Sequence, residues 1–268
     1  MKNKVVIITG ASSGIGKALA FEFAKRNADI VLAARNIDKL SKIEEVLKSF
    51  GTNVISVQTD VSVESDCKNL VNKTIEKFGK VNVLINNAGI SMRALFDDVD
   101  MSVLHKLMDT NFWGTVYCTK YALPYLLEVK GSVVGVSSIA GFKGLPARTA
   151  YSASKAAMQS FLDVIRTENF KKGLHVMVAC PGFTTSNIRF TALTKDGTQQ
   201  GESPRDEDKM MSAATVAKKI ANGVISKRRT IIMTFEGKAT VFLNKFFPSM
   251  LDRIVYKKIS KEPDSPFK

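Results

Sequence analysis

The chain has 268 residues, 45% apolar and 24% charged, which suits one large α/β domain or two small ones with a well-filled core. No apolar run reaches the roughly 18 residues of a membrane helix, and the strand-like N-terminus has no cleavage site behind it, so neither a membrane span nor a signal peptide is expected. The net charge of +14 is uneven, with 12 Lys or Arg against 4 Asp or Glu in residues 215–268, and no zinc-finger spacing, RNP-type aromatic run or basic heptad region accompanies it, so nucleic acid is not an expected partner.

The first strand is the apolar run Val5–Thr9. Thr9-Gly10-Ala11-Ser12-Ser13-Gly14-Ile15-Gly16 follows and opens a helical stretch, 15–26. Glycines at such a junction permit a tight turn and close backbone approach to a pyrophosphate, and a helix N-terminus offers unpaired N–H groups and a positive dipole end. Gly10, Ser12, Ser13, Gly14, Ile15 and Gly16 are therefore expected to cradle dinucleotide phosphates, in a G-x-x-x-G-x-G spacing rather than G-x-G-x-x-G. The second strand, Asp29–Ala34, runs into Arg35 and Asn36. An acid near this point would accept the ribose 2′-OH of NAD, whereas an Arg suits the 2′-phosphate of NADP through charge-assisted bidentate bonds. With Ala34 where the acid would stand, Arg35 and Asn36 point to NADP(H).

Further strands are expected at Asn53–Gln58, Asn82–Asn86, Ser132–Ser137, His175–Cys180 and Thr230–Thr234, and helices at 37–49, 63–78, 102–128, 151–171 and 213–226. Near-continuous apolar strands joined by helical crossovers argue an α/β, doubly wound parallel sheet covered on both faces. Cys67, Cys118 and Cys180 lack metal-ligand spacing and read as reduced thiols of a cytoplasmic protein, and His105 and His175 are too isolated for a zinc site, so no metal is expected. Residues 186–212 are polar and aperiodic, which makes 186–214 a candidate substrate lid.

Tyr151 and Lys155 stand four apart on the helix expected at 151–171, hence on one face. A phenol has an ordinary pKa of ~10 and a neighbouring ammonium favours its phenolate, so the pair can give a proton to, or take one from, a carbonyl or carbinol oxygen. Ser138, at the end of the fifth strand, is a candidate clamp for that oxygen.

The set TGASSGIG, Asp60-Val61, Asn86-Asn87-Ala88-Gly89, Asn111, Ser138, Tyr151-x-x-x-Lys155 and Pro181-Gly182 resembles the short-chain dehydrogenase/reductase family in order and spacing over about residues 3–225. The resemblance implies a single-domain Rossmann fold, strand order 3-2-1-4-5-6-7, in residues 1–235, followed by an extension, 236–268. It implies catalytic roles for Asn111 (a water-linked proton relay), Ser138, Tyr151 and Lys155, with Lys155 also holding the nicotinamide ribose and lowering the Tyr151 pKa. Asp60 and Val61 would meet the adenine, and the backbone of Asn87, Ala88 and Gly89 would support the adenosine end and the central sheet. Pro181, Gly182, Thr184 and Ser186 would hold the nicotinamide for 4-pro-S hydride transfer, although the family has an aliphatic residue at 184 and Thr at 186. The implied activity is NADP(H)-dependent interconversion of a ketone and a secondary alcohol by a homodimer or homotetramer built on helices 102–128 and 151–171. A non-catalytic NADPH-binding regulator and an epimerase or dehydratase of the same family are the alternatives.

Phe183, Ile188, Phe190, Leu193, Met210 and Met211 in or beside the lid, with Met92 and Leu145, suggest an apolar pocket for a hydrophobic substrate, steroid-, sphingoid- or long-chain-like. Apolar residues at 242, 243, 246, 247, 250, 251, 254 and 255 form one helical face broken by Pro248, flanked by Lys245, Arg253, Lys257 and Lys258. Such a segment, 239–259, is either a peripheral membrane contact or a helix docked on protein with a solvated basic rim.

Overall fold

The computed structural model describes residues 1–185, 187–201, 210–261 and 265–267. Seven strands form one sheet in the order β3-β2-β1-β4-β5-β6-β7, and every pairing is parallel. The strands are β1 (Val5–Thr9), β2 (Asp29–Ala34), β3 (Val54–Gln58), β4 (Val83–Asn86), β5 (Ser132–Val136), β6 (His175–Cys180) and β7 (Thr230–Ile232).

The central strands β1, β4 and β5 are buried along their whole length because both faces of the sheet are covered, while the edge strands β3 and β7 are partly exposed. Helices α1 (Gly14–Ala24), α2 (Ile37–Ser49) and α7 (Ala213–Ile225) bury Leu19, Phe23, Leu40, Leu47 and Ile220 against Val6, Ile8, Ile30 and Leu32. On the other face, α3 (Glu64–Phe78), α5 (Gly114–Glu128) and α6 (Thr149–Glu168) bury Leu70, Leu126, Met158 and Leu162 against Val5, Ile7, Val31 and Ala33. Alternate residues of β1 thus enter different layers, at 0% exposure.

The helix expected over 102–128 is not continuous. It comprises α4 (Met101–Met108), a π-turn at Asp109–Trp113, and α5. Tertiary packing accompanies the widened turn: a Cβ on Gly114 would lie 2.8 Å from Val61 Cβ, so α5 starts in backbone contact with the segment after β3. The helix expected over 151–171 begins two residues earlier and ends at Glu168, with Phe170–Lys172 forming a separate 3-10 turn.

Two further helices, α8 (Phe235–Phe246) and α9 (Pro248–Ser260), are divided at Pro248, which occupies the first turn of α9, where its missing N–H costs nothing. They dock on the turn after β5. A Cβ on Gly237 would lie 2.8 Å from Ile139 Cδ1, Asn244 Nδ2 donates to the Phe142 carbonyl (2.9 Å), and Lys143 pairs with Asp252.

Candidate active site

All seven strands run in one direction, so their carboxyl ends form one rim, where an open α/β sheet leaves room for ligands. The glycine loop lies at the end of β1. Gly10 and Gly14 adopt φ of +66° and +52°, a backbone region costly for a side chain. A Cβ on Gly16 would stand 2.1 Å from the Gly10 carbonyl oxygen and 2.6 Å from Asn87 Nδ2, so only glycine lets the first turn of α1 fold back on the loop. Ser13 occupies the N-cap without a side-chain cap bond, and the first turn of α1 holds no acid. Together with Ser12 and Ile15, this arrangement presents backbone N–H groups and a positive dipole end suited to a pyrophosphate.

Arg35 and Asn36 are exposed just past β2. Asn36 Oδ1 accepts from Lys39 N (2.8 Å) and caps α2, and Gln58 Nε2 donates to the Arg35 carbonyl (3.1 Å). The Arg35 backbone is therefore fixed, and no carboxylate among the described residues pairs with its guanidinium. Asp60 Oδ1 accepts from the Ser62 N–H (3.0 Å) and hydroxyl (2.6 Å), which orients the carboxylate. Val61 is buried and faces the start of α5.

Asn87 has a duty that its motif does not reveal. Its Nδ2 donates to the Thr9 carbonyl (2.8 Å), and the N–H groups of Asn87 and Ala88 both donate to Thr9 Oγ1 (3.0 Å each). A Cβ on Gly10 would sit 2.9 Å from Ala88 Cα. The ends of β1 and β4 are thus latched through the side chains of Thr9 and Asn87, with the Gly10 and Ala88 backbones in close contact. At Gly89 a Cβ would come within 3.1 Å of Asn111 Oδ1 and 3.3 Å of Lys155 Nζ, so this strip leads from the glycine loop to Asn111 and Lys155.

Asn111 lies in the π-turn and is fully buried, which excludes a surface amide. Its Oδ1 accepts from the Ile90 N–H (2.8 Å), and its Nδ2 donates to the Ile90 carbonyl and to Ser154 Oγ (3.0 Å each). Ser138 caps the 3-10 turn Ile139–Gly141, its Oγ accepting from the Ala140 N–H (3.2 Å), and its hydroxyl favours the ionised form of the Tyr151 phenol. Lys155 Nζ donates to the Val136 carbonyl (2.9 Å) and stands 5.9 Å from the Tyr151 ring centroid. Burial pushes its ammonium down to about 8. The Tyr151 phenol lies above its ordinary value, not below it as the pairing with Lys155 suggested. Burial raises it, and the Ser138 hydroxyl and the Arg148 charge offset part of that. Burial also holds the neighbouring Cys180 thiol near 12, hence neutral.

Arg148 was not legible as a site residue, although it precedes Tyr151 by three, a spacing that shares a helix face. Its Nη1 donates to Ser91 Oγ (2.7 Å) and the Met92 carbonyl (3.2 Å), tying the start of α6 to the loop after β4. The described part of the lid docks on the same loop: Leu193 N donates to the Ser91 carbonyl and Arg93 N to the Leu193 carbonyl (2.8 Å each). Met92 and Leu193, expected to line the pocket, are instead buried in a small core with Val103, Leu107 and Ala150. Leu145 and Phe183 do line a cleft, with Arg93, Arg148, Ile259 and Pro266. Ile188, Met210 and Met211 are half-buried and Phe190 is exposed.

After β6, a Cβ on Gly182 would lie 2.5 Å from Thr234 Cγ2, so Pro181-Gly182 packs against the start of α8. Thr184 is buried, and its carbonyl accepts from Arg189 Nη2 (3.0 Å), a second residue without a sequence signal. Ser186 and residues 202–209 of the lid lie outside the described residues.

Residues 4–196 match the family model described as short chain dehydrogenase. The chain is 36% identical over 267 residues to 11-beta-hydroxysteroid dehydrogenase 1A of Arabidopsis thaliana, covering 94% of this chain and 75% of that protein. It is 34% identical over 263 residues to dehydrogenase/reductase SDR family protein 7-like of Dictyostelium discoideum, covering 96% and 82%. Among solved structures, a short chain dehydrogenase/reductase from Burkholderia phymatum in complex with NAD superposes with a TM-score of 0.82 at 25% identity, covering 93% of this chain and 95% of that one. An alcohol dehydrogenase from the archaeon Thermococcus sibiricus, complexed with 5-hydroxy-NADP, shares the fold with a TM-score of 0.75 at 23% identity, covering 86% and 95%.

Proposed function

Because the chain belongs to the short-chain dehydrogenase/reductase family of oxidoreductases, we propose that it is an NADPH-dependent reductase of a hydrophobic ketone, reversible toward the secondary alcohol. The observation that carries this reading is the buried Tyr151 phenol, with the Ser138 hydroxyl acting on it and the Lys155 ammonium 5.9 Å from its ring one helical turn on, at the carboxyl rim of the sheet. When bound, NADPH supplies a hydride from its nicotinamide. The chain's own residues do the rest. Ser138 and Tyr151 converge on one oxygen, and the raised phenol keeps its proton at neutral pH until that oxygen takes it. Lys155, still largely charged at neutral pH, holds the ribose hydroxyls beside Gly89. Asn111 fixes the Ile90 backbone and Ser154, keeping the helix of Tyr151 aligned.

Preference for NADPH over NADH rests on Arg35, whose guanidinium has no carboxylate partner among the described residues, and on Ala34 in place of an acid. Similarity to hydroxysteroid dehydrogenases and the Leu145–Phe183 cleft support a steroid-like or other large apolar carbonyl substrate. Homodimerisation through α5 and α6 is supported by exposed Trp113, stacked on Tyr117 with centroids 5.9 Å apart, and exposed Val164. The test is NADPH oxidation by purified protein against steroid, sphingoid and fatty ketones, with Tyr151→Phe as the comparison. Loss of the acid should lower kcat by about 10²- to 10⁴-fold. Full activity in the folded Tyr151→Phe protein would overturn the proposal.

A further inference from the structure

The apolar residues of α8 and α9 divide into two sets. Val241, Leu243, Leu251 and Val255 are buried or half-buried against the body of the protein. Phe235 (87% exposed), Phe242 (58%), Phe246 (54%), Phe247 (54%), Met250 and Ile254 face outward. On α8, positions 235, 242 and 246 follow helical spacing and form one stripe. The rings of Phe242 and Phe246 lie 4.9 Å apart, so the exposed surface is continuous there. Isolated exposed apolar residues are ordinary, but a run of aromatic ones marks a contact surface.

The charge between residues 235 and 261 is mainly positive. Glu236 and Asp252 are the only acids between 235 and 261, and each is already paired, with Lys258 and Lys143. The Glu236–Lys258 pair joins the start of α8 to the end of α9 and holds the two as a hairpin. Lys238, Lys245, Arg253, Lys257 and Lys261 have no acidic partner within the segment, and Lys245 Nζ sits 5.4 Å above the Phe246 ring. A two-fold contact with a second copy would set these cations against themselves. An anionic lipid surface meets both demands at once, taking the Phe side chains into its acyl boundary and the ammonium groups among its headgroups.

We infer that the α8–α9 hairpin docks this protein peripherally on an anionic lipid bilayer, with Phe242 and Phe246 inserted and Lys245, Arg253 and Lys257 at the headgroups. Ile259 of α9 and Pro266 also line the cleft with Leu145, Phe183 and Arg148, so the hairpin borders that cleft.

Flotation of the full chain with phosphatidylcholine vesicles, with and without phosphatidylserine, tests the inference without reference to turnover. The wild-type protein should float only with phosphatidylserine vesicles, and the binding should fall as salt rises. Each Lys removed should lower the partition coefficient about fivefold. The Phe242→Ser/Phe246→Ser and Lys245→Gln/Lys257→Gln proteins should stay behind at unchanged Tm, and because both Lys side chains are exposed and outside the ion pairs of the hairpin, the second variant guards against misfolding of the first. No flotation at low salt, equal flotation with both vesicle types, or variants that float like wild type would each overturn the inference. Self-association abolished by Phe242→Ser/Phe246→Ser, without flotation of the wild type, would assign the surface to a second copy instead.

Discussion

Replacing Arg35 with Asp isolates the cofactor reading, because the structure confines the change to one side chain. The backbone at 35–36 is held by the Gln58 bond to the Arg35 carbonyl and by the Asn36 cap of α2, neither of which uses the guanidinium. A hydrogen bond to a charged group contributes about 1.5–3 kcal/mol. A carboxylate near the 2′-phosphate adds a repulsion of about 1 kcal/mol at an exposed site. At about 1.4 kcal/mol per decade, the sum lowers NADPH affinity about 60- to 700-fold. NADH, which has a hydroxyl in place of the phosphate, should bind equally well or better. Fluorescence titration of both dinucleotides, with Tm as a control, measures this. An NADPH Kd within threefold of wild type would refute the assignment of Arg35 to the phosphate.

Two more expectations follow from the same rim. Gly16→Ala puts a Cβ 2.1 Å from the Gly10 carbonyl, so the loop must shift; overpacking of this kind costs about 1–3 kcal/mol, and both Tm and dinucleotide affinity should fall, with an unchanged crystallographic loop as the contrary result. The Lys155 ammonium, lowered from 10.5 to about 8, loses its charge in the free enzyme as pH rises through 8; kcat/KM for NADPH should decline above that pH, and a flat profile to pH 9.5 would contradict it. The linkage sign is that the unfolded chain binds the extra proton between pH 8 and 10.5, so this group's destabilising contribution is full below pH 8 and is relieved across that window.

The sheet was readable because a doubly covered strand must be apolar on both faces, and Val5–Thr9 and His175–Cys180 are. The order of the strands was not in the periodicity; it came with the family resemblance. The π-turn at Asn111 escaped because a contact far away in sequence, Gly114 on Val61, accompanies it, while the local pattern still reads as helix. The motif placed Asn87 at the adenosine end and the central sheet, but says nothing of its partner Thr9, 78 positions earlier. Arg148 and Arg189 escaped for the same reason, since their partners belong to loops that only the fold brings near. At the C-terminus the 3.6-residue period revealed an apolar face but not which half of it the body of the protein would cover.

The strand order has a consequence for how the chain is made. Of the seven strands β1 is made first, and it sits centrally, between β2 and β4. Its β4 side is sealed by contacts such as Val5 N to Asn82 Oδ1, 77 positions apart in sequence. A nascent chain that stops before Val83 therefore carries one of the most apolar strands with an open edge, a template for wrong pairing. Chains truncated before Val83 should thus aggregate where chains truncated before the C-terminal hairpin do not, which a pelleting assay on the two truncations measures.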